Sequence, residues 1–184
     1  SQVIYKGKTK NGIGYVIRYP KKNDAEKMCL YINTLSKEKT FIRYQGESVT
    51  LDEEGSFLRN QLNKIENNLA VMLLIEAEEK ILGISGVEMR DKAERLTGEL
   101  GISILDEIRG EGIGKLLMEL VLKEAIKRLH SLKIITLSVF GNNSKAIGMY
   151  EKFGFVVLGV LPNGVLHRGK EEDHIFMYKL VKKI

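Results

Sequence analysis

One junction constrains this chain more than any other stretch: GISILDEIRGEGIGKLLMEL, residues 101–120. A β-branched run ends near Leu105, three glycines follow at alternate positions 110, 112 and 114, and apolar residues then recur at helical spacing. Leu116, Leu117, Leu120, Val121, Ala125 and Ile126 share one stripe of a helix that runs to about Leu129. A strand, a glycine turn and a helix start in that order require a sheet with a helix laid against it.

The remaining segments extend this pattern. Residues 11–20, NGIGYVIRYP, read as a strand ended by Pro20, which cannot donate to a ladder. Asn23 or Asp24 caps a helix to about Ser36, with Ala25, Met28, Cys29, Ile32 and Leu35 as its apolar face. A polar, loop-like stretch follows through Gly55, then a second helix from about Ser56 to Asn67 carrying Phe57, Leu58, Leu62 and Ile65. Residues 68–90 form a hairpin around the AEEK turn, and GELGISIL leads into the glycine junction. KIITLSVF (133–140) is a strand, SKAIGMYEKF (144–153) a short helix, and GFVVLGVL and HIFMYKLV are two strands around a charged loop. The expectation is a mixed α/β fold in a single domain over residues 1–184: a central twisted sheet of about seven strands flanked by about four helices.

Composition excludes several classes of function. No apolar run approaches the ~18–20 residues of a membrane span. The first dozen residues, SQVIYKGKTKNG, hold no apolar signal segment, so a cytoplasmic protein is expected. Cys29 is the single cysteine, which rules out an intrachain disulfide and a thiol metal cluster; no metal is expected. The net charge of +5 is dispersed rather than gathered in a basic, aromatic-bearing stripe, so no nucleic-acid partner is expected. Cys29 lies on the first helix's apolar stripe and reads as a buried filler. His130 reads as closing a helix, and His167 and His174 as structural residues near the last loop.

Glycines before a helix N-terminus suggest phosphate binding, because the first N–H groups of a helix are unpaired and the end carries partial positive charge. Two phosphate loops fail on spacing. The dinucleotide fingerprint needs glycine at 115, where the chain has Lys115. The P-loop needs G-x-x-x-x-G-K-[ST], but Gly110 and Gly114 are one residue too close and Leu116 follows Lys115.

The pattern that fits is R-x-x-G-x-G, read as Arg109, Gly112 and Gly114. With it the chain resembles the GNAT superfamily of N-acetyltransferases, which carries this pattern between its fourth strand and third helix. A second stretch, NNSKAIGMYEKFGF (142–155), is similar to that family's N-x-x-A-x-x-x-Y-x-x-x-G-F at Asn143, Ala146, Tyr150, Gly154 and Phe155. Gly154 is expected to stop the short helix and Phe155 to anchor the next strand.

The resemblance implies acetyl-CoA as acyl donor and a sheet splayed between the fourth and fifth strands. The pyrophosphate would sit on the backbone N–H groups of Gly110, Glu111, Gly112, Ile113, Gly114 and Lys115, with Arg109 and Lys115 as nearby cations. The pantetheine arm would pair with the fourth strand around Ser103, Ile104 and Leu105. The Leu105 N–H would stabilise the oxyanion, Tyr150 would protonate the leaving thiolate, and Asn143 would orient the arm or the surroundings of Tyr150. Glu99 resembles the general base of some members, Glu88 is the reserve, and a water chain is the alternative to both.

The acceptor expected is a primary amine, whether a polyamine, another small cationic amine or a peptide amino group, taken up by direct attack. Acidic clusters at Glu47, Asp52, Glu53 and Glu54 and at Glu171, Glu172 and Asp173 favour a cation. Dimers are common in that family, so a homodimer is possible by analogy alone, and the sequence itself does not specify the oligomeric state. The competing reading is a non-catalytic acyl-CoA-binding sensor on the same fold; Tyr150 argues against it, because a pure binder has no use for a proton donor.

Overall fold

The computed structural model describes residues 2–182. Its elements are β1 Val3–Lys8, β2 Gly14–Arg18, α1 Ala25–Lys37, α2 Leu51–Glu66, β3 Ala70–Ala77, β4 Lys80–Met89, β5 Thr97–Ile104, α3 Ile113–Arg128, β6 Ile134–Phe140, α4 Ser144–Lys152, β7 Val156–His167 and β8 Lys170–Leu180. One mixed sheet takes the order β1-β2-β3-β4-β5-β6-β8-β7. Every neighbouring pair is antiparallel except β5 with β6. That parallel pair is registered only over Thr97–Glu99 against Ile134–Thr136, after which the strands part. The expected splay is therefore present, between the strands counted from sequence as fourth and fifth.

Three elements differ from the sequence reading. The sheet has eight strands because VIYKGK forms β1, an edge strand in which Lys6, Gly7 and Lys8 break any apolar alternation. The second helix starts at Leu51 rather than near Ser56. Thr50 accepts the Glu53 N–H at 3.2 Å while the Glu53 carboxylate accepts the Thr50 N–H at 2.8 Å. This capping box satisfies two orphan donors of the first turn and carries the helix through Gly55. The charged segment after Leu161 is no loop: β7 and β8 run on to a two-residue turn at Arg168 and Gly169, both with positive φ (51° and 75°).

The core lies on both faces of the central strands. Leu73, Leu74 and Ile75 of β3 and Leu117, Met118, Val121 and Ala125 of α3 are fully buried. Cys29 is half-buried instead of buried, with its Sγ 3.5 Å from the Val49 carbonyl. Among the described residues no helix is long and apolar enough to cross a membrane.

A charge sits inside this core. Arg18, at the end of β2, is 2% exposed and bonds both Asp24 oxygens, at 2.7 and 2.8 Å, through Nη1 and Nη2. Its Nε donates to Glu76 on β3, which also binds Lys27 of α1 at 2.8 Å. Of the two expected caps, Asn23 and Asp24, Asp24 holds the N-cap position of α1, but its carboxylate is taken by Arg18 and by the Lys21 N–H rather than by the helix. The network ties β2, the start of α1 and β3 into one corner.

Removing one partner of such a buried pair strands the other charge, so Arg18→Ala should destabilise the fold by about 3–5 kcal/mol in a denaturant titration. The Arg18 guanidinium, with Lys27, holds the Glu76 carboxyl down to about 2. The folded value is depressed, so this contribution is complete above the unfolded range near ~4.3 and is lost as pH falls toward 2. Glu76→Gln should lower stability at neutral pH and flatten the acid limb between those values, read from melting temperature against pH.

Candidate active site

The parting of β5 from β6 leaves one edge of β5 open. On its other edge the Leu105 N–H donates to the Leu82 carbonyl of β4 at 2.9 Å. In an antiparallel ladder alternate residues turn their backbone toward the partner. Leu105 and Ser103 therefore face β4, and Ile102 and Ile104 face the gap. This corrects the expected oxyanion donor: the Leu105 N–H is already consumed by the sheet, and the free donors of the gap belong to Ile102 and Ile104. Ser103 contributes only its side chain, whose hydroxyl lies 2.7 Å from the Tyr31 hydroxyl on α1.

The glycine loop closes the far end of the gap. Gly110 and Gly112 have φ of +78° and +80°, which L side chains adopt only under strain. Gly114 serves close packing, since a Cβ there would lie 2.5 Å from Ile104 Cδ1. No side chain caps α3 and no acidic residue occupies its first turn. The N–H groups of Ile113, Gly114 and Lys115 thus have no intrahelical acceptor, and the helix end is open to an anion.

Two side chains of the loop are committed elsewhere. Glu111 accepts the Lys10 N–H at 2.6 Å, and Lys10 Nζ donates to the Gly110 carbonyl at 3.2 Å, so the β1–β2 turn props the loop. Arg109, expected beside a phosphate, folds inward instead. Its Nε and Nη2 donate to the Ile104 carbonyl at 3.0 and 2.7 Å, and Nη2 also meets Glu38 at 2.6 Å. Lys115 is exposed and remains the loop's outward cation.

The second motif is divided in the same way. Asn143 is the N-cap of α4, and its Oδ1 accepts the Ala146 N–H at 3.2 Å, which leaves the Nδ2 donors for a ligand. Tyr150 is 7% exposed, packs its ring 6.1 Å from that of Phe155, and makes no hydrogen bond among the described residues. Burial pushes its phenol up to about 12. Gly154 ends the helix at φ +86°, and Phe155 is 1% exposed, as expected of a stop and an anchor.

A cleft of about 1630 Å³ opens between α1 and α2 and the sheet, with Phe41, Phe57, Ser103, Ser138 and Phe140 among its walls. Glu88 and Glu99, paired across β4 and β5, stand in it. Burial raises the Glu88 carboxyl, but hydrogen bonds from Lys64 and Gln61 outweigh it and the net shift is downward. The Glu99 side chain is 60% exposed, and among the described residues its ionic partner is Arg90, 3.6 Å away. Tyr150 does not line this cleft, so Glu99 and Tyr150 are not brought together within it.

The acidic cleft expected from the clusters is not what forms. Glu53 is spent in the capping box, Glu54 is buried in α2, and the Asp173 carboxylate accepts the Asn163 N–H. Arg43, Lys64 and Arg90 stand in the lining beside Glu47, Glu88 and Glu99, so the charge is mixed.

Sequence reasoning missed a tie between the end of α1 and the tip of the β7–β8 hairpin, next to the cleft wall at Phe41 and Leu166. His167, 4% exposed, donates through Nε2 to the Lys39 carbonyl at 3.0 Å and so accepts the Asn142 amide at Nδ1 (2.9 Å). Arg168 Nε donates to the same carbonyl at 3.1 Å, and Phe41 packs 4.6 Å from the His167 ring. These partners are far apart in sequence, and no local pattern announces them. Among the described residues no group of three His, Cys, Asp or Glu side chains could hold a metal.

The chain matches the model of the acetyltransferase (GNAT) family over residues 32–155. A comparison with curated proteins finds no match. Among solved structures it is similar to a GNAT-family acetyltransferase from Streptococcus pneumoniae, with TM-score 0.82 and 28% identity over 91% of this chain and 99% of that one. A ribosomal-protein-alanine N-acetyltransferase from Brucella melitensis has TM-score 0.77 and 22% identity over 90% and 99%. YncA from Salmonella typhimurium, solved with acetyl-CoA, has TM-score 0.74 and 17% identity over 92% and 95%. The last two likenesses show the fold.

The burial of Tyr150 has a spectroscopic consequence. In rapid alkaline titration followed by phenolate absorbance, the difference between wild type and Tyr150→Phe should titrate near 12. A difference near the ordinary ~10 would mean that the hydroxyl reaches water.

Proposed function

The chain belongs to the GNAT acetyltransferase family, and on that premise we propose that it moves an acetyl group from acetyl-CoA to a primary amine by direct attack in a ternary complex. The observation that carries this reading is the open edge of β5 running to the uncapped N-terminus of α3.

The residues present fit the donor. The N–H groups from Gly110 to Lys115 would hold the pyrophosphate, with Lys115 as the outward cation. The backbone of Ile104 and Ile102 would take the pantetheine arm along the gap, because those residues turn their polar groups away from β4. Acetyl-CoA supplies the thioester; positioning, charge stabilisation and proton movement fall to the chain.

Holding a neutral amine close to the carbonyl converts a bimolecular encounter into an effectively unimolecular one. As the amine attacks, the C–N bond forms and the C–S bond breaks, and negative charge gathers first on the carbonyl oxygen. An N–H on the open edge of β5, preorganised by the strand, is the donor for that charge. Tyr150 is protonated at neutral pH like any phenol, burial raises it further, and it gives its proton to the departing sulfur. Glu99 is the base that relieves the attacking nitrogen of its proton, being free of the hydrogen bonds that occupy Glu88. Cys29 does not line the cleft, which favours direct transfer over an acetyl-cysteine route.

The acceptor is a primary amine of a small molecule or of a peptide. Charges of both signs in the cleft favour an acceptor that carries polar groups of both kinds over a bare polyamine.

Calorimetric titration with acetyl-CoA, with NADH and ATP as controls, tests the donor. Micromolar binding to acetyl-CoA alone supports the reading, and no binding at millimolar concentration removes it. In turnover with an amine panel, Tyr150→Phe should lower kcat by about 10²–10⁴ with the acetyl-CoA Kd unchanged. An unchanged kcat would take Tyr150 out of the mechanism.

A further inference from the structure

The turn that ends α1 touches both halves of the site. Glu38 caps the helix, and its carboxylate accepts the Asp106 N–H through Oε1 at 3.1 Å and Arg109 Nη2 through Oε2 at 2.6 Å. Arg109 in turn holds the Ile104 carbonyl with two donors. The next residue, Lys39, has left-handed φ of 48°, and its carbonyl receives His167 Nε2 and Arg168 Nε from the tip of the β7–β8 hairpin. Adjacent residues therefore bond in two directions. Glu38 reaches the glycine loop by its side chain, and Lys39 reaches the hairpin by its backbone.

A lone surface ion pair contributes about 0–1 kcal/mol and would carry no inference. This one is different in its end point. The Ile104 carbonyl lies on the open edge of β5, where an amide N–H lying along the strand would seek its acceptor. Arg109 already holds that oxygen. A ligand with amides in its arm and phosphates at its end both competes for the carbonyl and offers Arg109 an anionic partner in exchange.

We propose that Glu38 is a positioning residue and that the Glu38–Lys39 turn couples the donor gap to the acceptor cleft. The proposal rests on the acetyl-CoA reading above. Acetyl-CoA lying along β5 takes the Ile104 carbonyl and draws Arg109 toward its phosphates. Glu38 loses its cation, and the turn that presents the Lys39 carbonyl to His167 and Arg168 loosens. The tie between the end of α1 and the hairpin beside the cleft relaxes once the donor is in place. By linkage the effect is reciprocal: anything that loosens the turn in advance removes work that the donor would otherwise do and tightens donor binding.

That reciprocity separates coupling from a merely structural role, which would weaken binding when disturbed. Hydrogen exchange of the full chain, with and without saturating acetyl-CoA, reads the turn directly. Wild type should show amides of residues 39–47 exchanging about tenfold faster when acetyl-CoA is bound. Glu38→Gln should exchange fast there without ligand, show no further change on binding, and bind acetyl-CoA about fivefold more tightly by calorimetry. Arg168→Gln, which breaks the other end at an exposed position, should also tighten binding. If acetyl-CoA binds wild type while residues 39–47 exchange unchanged, or if both variants bind no more tightly, the coupling is overturned and the transferase reading stands. If acetyl-CoA does not bind wild type at all, both fall.

Discussion

The architecture depends on where two parallel strands stop pairing. β5 and β6 share a register over only Thr97–Glu99 and Ile134–Thr136, whereas each is fully committed on its other side. β5 pairs with β4 from Gly98 through Ile104, and β6 with β8 from Ile134 through Phe140. Two antiparallel units, β1–β5 and β6–β8–β7, thus meet along a short parallel seam. Parallel pairing is the weaker kind per residue, so the seam yields where the units diverge. The unpaired backbone beyond it is the gap that the proposed chemistry uses.

Much of this was legible in sequence because it is local. The strand–glycine–helix junction, the stop at Gly154 and the anchor at Phe155 each depend on a few consecutive residues. The parts that were not legible depend on partners distant in the chain. Leu105 was placed on the gap although the strand reads the same either way; only the Leu82 carbonyl decides the parity. Arg109 fits a phosphate motif, and its inward turn is set by Glu38, far upstream of the glycine loop. β1 was hidden because an edge strand with little to bury needs no apolar alternation. The capping box at Thr50 and Glu53 was local, but Gly55 behind it read as a break. The roles of Glu99 and Tyr150 rest on the family likeness and on what each side chain is free to do.

The buried charge in this molecule is structural. Arg18 is buried with two carboxylates, and the Tyr19 hydroxyl donates to Glu124, which Arg128 also binds. Burying such groups carries a desolvation penalty that only complete hydrogen bonding offsets. Acidic residues which looked like a cation-attracting surface are used to start a helix or to brace a turn. Glu99, held only loosely by Arg90, is an exception within the cleft.

The prop beneath the glycine loop assigns an unusual weight to the β1–β2 turn. Exposed turns are ordinarily places where additions and deletions are tolerated. Here the turn between β1 and β2 carries Lys10, whose backbone and side chain hold Glu111 and the Gly110 carbonyl. Altering that turn would disturb the anion-facing loop while the buried core of β3 and α3 stayed in place. An engineer choosing where to graft a segment, or an insertion drifting through evolution, would meet the cost there as altered ligand handling in a protein that still folds.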